Sequence, residues 1–203
     1  MAVRHVVAEG ECIDSIAAAY GWAPATLWDH QANAALRELR KDPHILAKGD
    51  VVVIPERQAK SVAAAAGKTH RFKRRGVPSK LALRLLDGDA PRAGVPYQLV
   101  VGDTTLSGTT DAEGWLEHWV PPAAKTATLI ISAGEQYDVL IGTLEPADTD
   151  EGVRMRLRNL GFLGDDDAAL AAALRAFQAA NGLDVTGEIT DAVRARLVAV
   201  HGS

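Results

Sequence analysis

Residues 152–197 read GVRMRLRNLGFLGDDDAALAAALRAFQAANGLDVTGEITDAVRARL, and this stretch decides the fold of the C-terminal part of the chain. Three apolar side chains recur at the spacing of one helical face: Leu170, Leu174 and Phe177. Gly182 stops that helix, because glycine tolerates a left-handed turn. Thr190 then caps a last helix. The inward face of this last helix carries Val193, Leu197 and Val200.

The segments LRNLGF at 157–162, ALRAFQAANGLDVTGEIT at 173–190 and ARL at 195–197 resemble the peptidoglycan-binding domain-like family. The resemblance implies a three-helix unit over 150–203 that contacts the cell wall through a shallow groove between helices. By residue match, the candidate contacts are Asn159, Phe162, Gln178 and Asn181. Phe162 also fits the core. The family's usual DGxFG insert is replaced by GDDDAA at 164–169, where we expect the aspartates at 165–167 to cap the central helix.

The N-terminal residues alternate between strand and helix patterns. HVVAEGECIDSIAAAYG at 5–21 gives a short strand, a turn at Gly10 and a helix. One face of that helix carries Ile13, Ile16, Ala17 and Tyr20. Pro24 suits the start of a second helix, and LAKGDVVVIP at 46–55 supplies a closing strand. We therefore predict a βααβ unit over 1–57, and these residues resemble a LysM domain.

The LysM resemblance implies binding of N-acetylglucosamine-containing glycans in a groove between the turn at 9–13 and the segment at 28–34. The candidate residues are Glu9, Gly10, Glu11, Cys12, Ile13, Trp28, His30 and Asn33. Two features depart from the family: Gly-Glu-Cys-Ile replaces the usual Gly-Asp-Thr-Leu turn, and the segment before the last strand is long. The roles of Trp28, His30 and Asn33 stay open: they fit sugar recognition, and they also fit a half-buried helix end. For the domain as a whole, the alternative to glycan binding is a domain used only for docking.

Residues 70–145 follow a linker at 58–69. In these residues apolar and polar side chains alternate with a period of two. Alternating apolar residues are Leu81, Leu83, Leu85, Tyr97, Leu99 and Val101. With turn residues between the runs, this pattern predicts an antiparallel β-sandwich. AGVPYQLVVGDTTLSGTTDAEGWLEHWVP at 93–121 resembles the transthyretin-like, carboxypeptidase-regulatory-like class, which implies a spacer or interaction platform.

Two other features of this middle part have a structural interpretation. Trp115 and Trp119 share a strand face. We expect them to pack in the core or between units, with an exposed aromatic platform as the alternative. The basic residues Arg71, Lys73, Arg74 and Arg75 are interpreted as a solvated strand edge rather than a nucleic-acid site.

Composition excludes several classes of function. The net charge of −4 implies no general attraction to nucleic acid, and no apolar run is long enough for membrane insertion. The single cysteine, Cys12, excludes an internal disulfide framework and a cysteine-rich metal site, and we interpret it as a small buried apolar residue. We expect no metal and no cofactor. The N-terminus lacks an apolar signal core, so we expect a protein that is cytoplasmic as synthesised.

No metal-ligating histidine pair, GxSxG motif or P-loop occurs, so we expect a non-catalytic α+β multidomain protein. The order of its units resembles small proteins that accompany type VI secretion and contractile injection spikes. That resemblance implies an adaptor that binds peptidoglycan and has a spike, sheath component or effector as its protein partner. Such an adaptor is either delivered to a periplasm by the secretion system or remains inside the cell. The alternative is a regulatory or targeting subunit of a cell-wall hydrolase, or a cryptic peptidoglycan hydrolase.

Overall fold

The computed structural model describes residues 2–56, 63–71, 79–88, 90–131, 134–163 and 169–203. Within these ranges the chain is mixed α+β, with antiparallel sheets and six α-helices. No helix in these ranges is long and apolar enough to cross a membrane. Part of the expected linker, the basic residues at 73–75 and the aspartates at 165–167 lie outside the described residues.

The N-terminal unit, residues 2–56, pairs its first and last strands. Its elements are β1 (Val3–Val6), α1 (Ile13–Tyr20), α2 (Pro24–Trp28), a 3-10 turn (Gln31–Asn33), α3 (Ala34–Arg40) and β2 (Val51–Ile54). β1 and β2 are antiparallel. Gly21 ends α1 in the left-handed conformation at φ 69°, as expected for a helix stop. The long segment before β2, which sequence patterns left unassigned, supplies α3.

The core of the N-terminal unit lies between the helices and the two-stranded sheet. Ile13, Ile16 and Ala17 are fully buried on one face of α1, which confirms the predicted helical face. They pack with Leu27 of α2 and Val52 of β2.

The described residues of the middle unit, 79–145, form three antiparallel sheets, and the two that contain β6 and β8 share one core. Its strands are β3 (Ser79–Arg84), β4 (Leu86–Asp87), β5 (Ala90–Pro91), β6 (Pro96–Val101), β7 (Thr104–Thr109), β8 (Trp115–Val120), β9 (Thr126–Ile131) and β10 (Gln136–Leu140). The larger sheet has the order β10-β9-β6-β7, while β3 pairs with β8 and β4 with β5. Leu99 and Leu129 of the larger sheet pack with Leu116 and Val120 of β8. The predicted alternation and antiparallel pairing are confirmed.

The two tryptophans of β8 share its outer face, opposite Leu116 and Val120. Trp119 is 65% exposed, so the prediction that it packs in the core or between units is wrong. Trp115 has the Arg84 guanidinium 5.7 Å from its ring centroid and lies against Gly202 of the C-terminal unit. Trp115 therefore packs between the middle and C-terminal units, because Gly202 lies against its end of the strand.

The C-terminal unit, residues 149–203, contains α4 (Asp150–Asn159), α5 (Leu170–Ala180) and α6 (Asp191–His201). The predicted cap is confirmed, since the Thr190 hydroxyl accepts a hydrogen bond from the Val193 amide at 3.3 Å. Gly182 takes the predicted positive φ, at 67°. The core side chains from the three helices include Val153, Leu157, Leu174, Phe177, Val193 and Leu197.

One charged side chain lies inside this unit. Arg156 of α4 is 1% exposed. Its guanidinium donates to the carbonyls of Glu145 and Gly152, each at 2.8 Å, and to the Ser203 carbonyl at 2.9 Å. Burial lowers the pKa of Arg156 to about 10, which still leaves it charged at neutral pH. The guanidinium therefore joins the segment before α4, α4 itself and the C-terminus of the chain.

Replacing Arg156 by Met should destabilise the protein strongly, because the Glu145 and Ser203 carbonyls lose a buried donor. We expect a loss of about 2–5 kcal/mol in the free energy of unfolding. Urea denaturation measures it. Arg158→Met on the same helix is the control, because Arg158 pairs with Glu151 at the surface and a change below about 1 kcal/mol is expected. Equal losses in the two variants would contradict the assignment of Arg156.

Candidate functional site

The loop between α5 and α6 forms a depression of about 400 Å³ on the C-terminal unit. Its lining residues are Gly182, Leu183, Asp184, Thr186, Thr190 and Ala192. Val185, on the same loop, is 55% exposed. The depression thus combines a carboxylate, two hydroxyls and apolar side chains, which suits a ligand with both amide and aliphatic groups.

Gln178 shapes this loop from within. Its side chain is 1% exposed, and its amide nitrogen donates to Thr186 Oγ1 at 3.0 Å and to the Glu188 carbonyl at 3.2 Å. Its amide oxygen accepts from the Gly187 amide at 2.8 Å. The prediction that Gln178 contacts a ligand is therefore corrected, because its hydrogen-bonding groups face the protein and hold the loop.

Asn181, at the end of α5, also bonds within the unit. Its side chain donates to the Phe177 carbonyl at 2.9 Å and accepts from Arg196 Nε at 2.8 Å. Phe162 lies edge-on against Phe177, with ring centroids 5.3 Å apart, and packs on the core. These two candidates are thus held in internal contacts.

Asn159 is exposed at the end of α4 and donates to His201 Nε2 at 2.9 Å. Burial and the nearby Arg156 lower the pKa of His201 to about 4, so the ring is neutral at pH 7 and can accept this bond. None of the four predicted residues lines the depression. The residues that do line it begin at Gly182, which stops α5. The signal available in the sequence was an apolar residue, Val185, between the polar residues Asp184 and Thr186.

In the N-terminal unit, three of the eight candidate glycan residues are buried. Ile13 is a core residue, and Cys12 caps α1 at 9% exposure. Asn33 is 1% exposed; it donates to the carbonyls of Leu27 and Val53 and accepts from the Val53 amide at 2.7 Å. The prediction that Ile13 and Asn33 meet a sugar is corrected, because Ile13 fills the core and Asn33 extends the hydrogen bonding of β2.

Trp28 and His30 are both half-buried at the C-terminal end of α2. His30 Nδ1 accepts from the Ala32 amide at 3.2 Å and begins the 3-10 turn. Trp28 is partly buried against the core, and its carbonyl accepts from Arg37 at 3.0 Å.

The turn at 9–11 meets the middle unit. The Gly10 carbonyl accepts a hydrogen bond from Lys125 Nζ, and a Cβ at Gly10 would lie 3.5 Å from the Thr143 methyl group. Glu11 accepts from His5 Nε2 at 2.7 Å and from the Ala8 amide at 2.9 Å. Glu9 lies 4.0 Å from Lys48. The turn at one side of the expected glycan groove therefore contacts the middle unit through Gly10.

Residues 152–197 match the family described as "Putative peptidoglycan binding domain". The match extends from the first turn of α4 into α6 and includes the loop that forms the depression. No curated protein and no solved structure matches the chain. The chain thus contains a peptidoglycan-binding domain, and this domain supports binding to peptidoglycan.

Gln178→Ala should destabilise the C-terminal unit, because it leaves buried loop groups without partners. With three hydrogen bonds lost, we expect a decrease of about 2–4 kcal/mol in the free energy of unfolding. Chemical denaturation followed by circular dichroism measures it. Gln98→Ala is the matched control, since Gln98 lies exposed on β6 and its loss should cost less than about 0.5 kcal/mol. An unchanged midpoint for Gln178→Ala would contradict the internal role.

Proposed function

We propose that this protein is a non-catalytic adaptor that binds peptidoglycan through its C-terminal unit and docks on protein partners through its other two units. The observation that carries the proposal is the family match at 152–197, which includes most of α4, all of α5 and the first turns of α6. The three helices share an apolar core, and the Thr149 and Thr190 hydroxyls cap α4 and α6, so the matched sequence packs as a folded domain does.

The proposed contact surface is the depression of the α5–α6 loop. The peptide stem of peptidoglycan offers amides, methyl groups and charged ends. The Asp184 carboxylate suits an ammonium group. The Thr186 and Thr190 oxygens accept hydrogen bonds within the unit, and each hydroxyl can still donate its hydrogen to an amide carbonyl of the stem. Leu183 and the exposed Val185 suit the alanine methyl groups of the stem. Gln178 acts here as a positioning residue, because it holds the loop that carries these side chains.

The proposed affinity is weak for a single site. Each direct hydrogen bond contributes about 0.5–1.5 kcal/mol net, and the depression offers few polar groups. A polymeric wall compensates, because many sites lie within reach of one bound protein.

The proposal that the protein is not an enzyme is supported by the position of its one thiol. The side chain of Cys12 is buried, so it does not reach a polymer such as the wall. The docking role is supported by apolar side chains on the surface of the middle unit. Trp119 is 65% exposed on β8 and Leu140 is 66% exposed on β10.

The proposed partner is a spike, sheath component or effector of a type VI secretion or contractile injection system. The order of the three units supports this context, by its resemblance to small proteins of such systems. The alternative is a regulatory or targeting subunit of a cell-wall hydrolase. In that case a hydrolase, rather than a spike component, would be retained by the immobilised full chain.

Val185→Asp should weaken sedimentation of the full chain with purified sacculi, because it places a charge where an aliphatic contact is proposed. Burial of one valine side chain contributes about 1.5 kcal/mol, which corresponds to about tenfold in affinity. The bound fraction is measured across a range of sacculus concentrations. Val198→Asp is the matched control: it makes the same change on α6 at a residue that is 40% exposed and lies outside the α5–α6 loop.

The control variant should bind as the wild type does. Equal loss in both variants would reject the depression as the contact surface. Failure of the wild type to sediment would reject peptidoglycan binding itself.

Absence of catalysis is tested with the same sacculi. The pure protein should release no soluble muropeptides over background, as measured by chromatography of the supernatant. Release that disappears after a single side-chain substitution would establish an enzyme instead.

A further inference from the structure

Strand β1 forms one edge of its sheet, because among the described strands it pairs with β2 alone. The Val7 amide, one residue beyond β1, donates to the Asp50 carbonyl at 2.8 Å, so these two residues form a hydrogen-bonded pair. Hydrogen-bonded and non-hydrogen-bonded pairs alternate along antiparallel strands, so the backbone groups of Arg4 and Val6 point away from β2. Among the described residues these N–H and C=O groups have no hydrogen-bond partner, and they form the open edge of β1.

The outer edge of β2, in contrast, is closed by a side chain. Val53 is paired with Arg4, so its backbone groups also point out of the strand pair. The amide nitrogen of the buried Asn33 donates to the Val53 carbonyl at 2.9 Å, and its amide oxygen accepts from the Val53 amide at 2.7 Å. The N-terminal unit therefore satisfies one edge of its sheet from within and leaves the equivalent groups of β1 at the surface.

The side chains of β1 do little to prevent pairing with another chain. Val3 is 49% exposed and Val6 is 62% exposed. Edge strands commonly avoid such pairing through prolines, bulges or charged side chains. β1 contains no proline, it pairs with β2 without a bulge, and Arg4 is its single lysine or arginine. The open edge therefore suits an incoming extended backbone, which is complementary to its outward N–H and C=O groups.

A shallow aromatic cleft lies beside the first residue of β1. Its lining residues include Val3, Ala19, Tyr20, Trp22 and Glu56. Tyr20 and Trp22 are half-buried, since part of each side chain packs on the core of the unit. Glu56 is exposed, and a carboxylate accepts several hydrogen bonds at once. Two aromatic rings beside a carboxylate suit a cation on a long aliphatic stem, as in a lysine or arginine side chain.

We propose that the open edge of β1 binds an extended segment of a protein partner, with a lysine or arginine side chain of that segment in the aromatic cleft. The segment pairs with the backbone groups of Arg4 and Val6 and so adds a third strand to the sheet. Its basic side chain lies on the face that Val3 occupies, so the stem crosses Val3 and the charge meets Glu56. The inference rests on the docking role proposed above for the N-terminal unit, and it is independent of peptidoglycan binding.

A second copy of this chain fits the edge less well than a basic partner segment does. Successive side chains of a strand point to opposite faces, so Arg4 lies on the face opposite to that of Val3 and His5. A second β1 strand placed against the open edge therefore brings no lysine or arginine to the aromatic cleft. The carboxylate of the cleft favours a partner whose basic residue lies on the inner face.

Selection from a random library of linear peptides tests the proposal without a known partner. The library is displayed on phage and selected on the immobilised full chain. Enriched peptides should share a run of β-branched residues, which favour extended backbone, and one lysine or arginine at a fixed place in that run. The most enriched peptide is then labelled with fluorescein, and its affinity for the full chain is measured by fluorescence anisotropy.

Two substitutions of Val6 separate the backbone from the side chain. Val6→Pro should weaken binding of the enriched peptide about tenfold, because proline removes an outward donor. Val6→Thr is the matched control: it loses the same valine but keeps the N–H group, so its affinity should stay within about threefold of the wild type. Glu56→Gln should weaken binding about threefold at low salt and less at high salt. Urea midpoints check that the variants are folded.

Amide hydrogen exchange measured by NMR tests the edge in the wild type itself. The Val6 amide should exchange much faster than the Val7 amide, which donates to Asp50, and the enriched peptide should slow it. No enrichment, enriched peptides without a basic residue, equal losses in Val6→Pro and Val6→Thr, or a Val6 amide that the peptide leaves unprotected would each overturn the proposal. Protection of Val6 that grows with protein concentration alone would overturn it in favour of a second copy. Sedimentation with sacculi tests peptidoglycan binding separately from all of these outcomes.

Discussion

Buried polar groups must find hydrogen-bond partners, and this constraint shapes irregular segments in both the N-terminal and the C-terminal unit. The apolar clusters hold the helices and sheets together, but they leave the loops and chain ends undefined. Three buried polar side chains supply that definition: Asn33, Arg156 and Gln178. Each satisfies backbone groups that have no partner in a helix or sheet.

The same constraint separates residues that shape a site from residues that can contact a ligand. Gln178 and Asn33 looked like recognition residues because amides suit sugars and peptides. In the structure their amides are used by the loop at 186–188 and by β2. Ligand contact is left to the side chains that such residues position, and around the α5–α6 loop these are Asp184, Val185 and Thr186.

Contacts between the units also bear on function. Lys125 and Thr143 cover the turn at Gly10, Ser79 reaches Asp14, and Arg40 of α3 donates to Asp148 at 3.2 Å. The middle unit therefore borders the turn at Gly10 and the first turn of α1.

The sequence by itself determined the local elements. The spacing of Ile13, Ile16 and Ala17 specified α1, the alternation through Leu99 specified β6, and Thr190 with Gly182 marked the bounds of the last helices. These features depend on neighbours within a few residues, so pattern is sufficient to read them. Only the tertiary structure decided which side chains were left for binding. Gln178 bonds with a loop eight to ten residues away, and Asp14 accepts a hydrogen bond from Ser79 of the middle unit. Trp119 stays exposed because none of the described segments covers its end of β8. Burial and partnership depend on packing between distant segments, and local pattern does not record that packing.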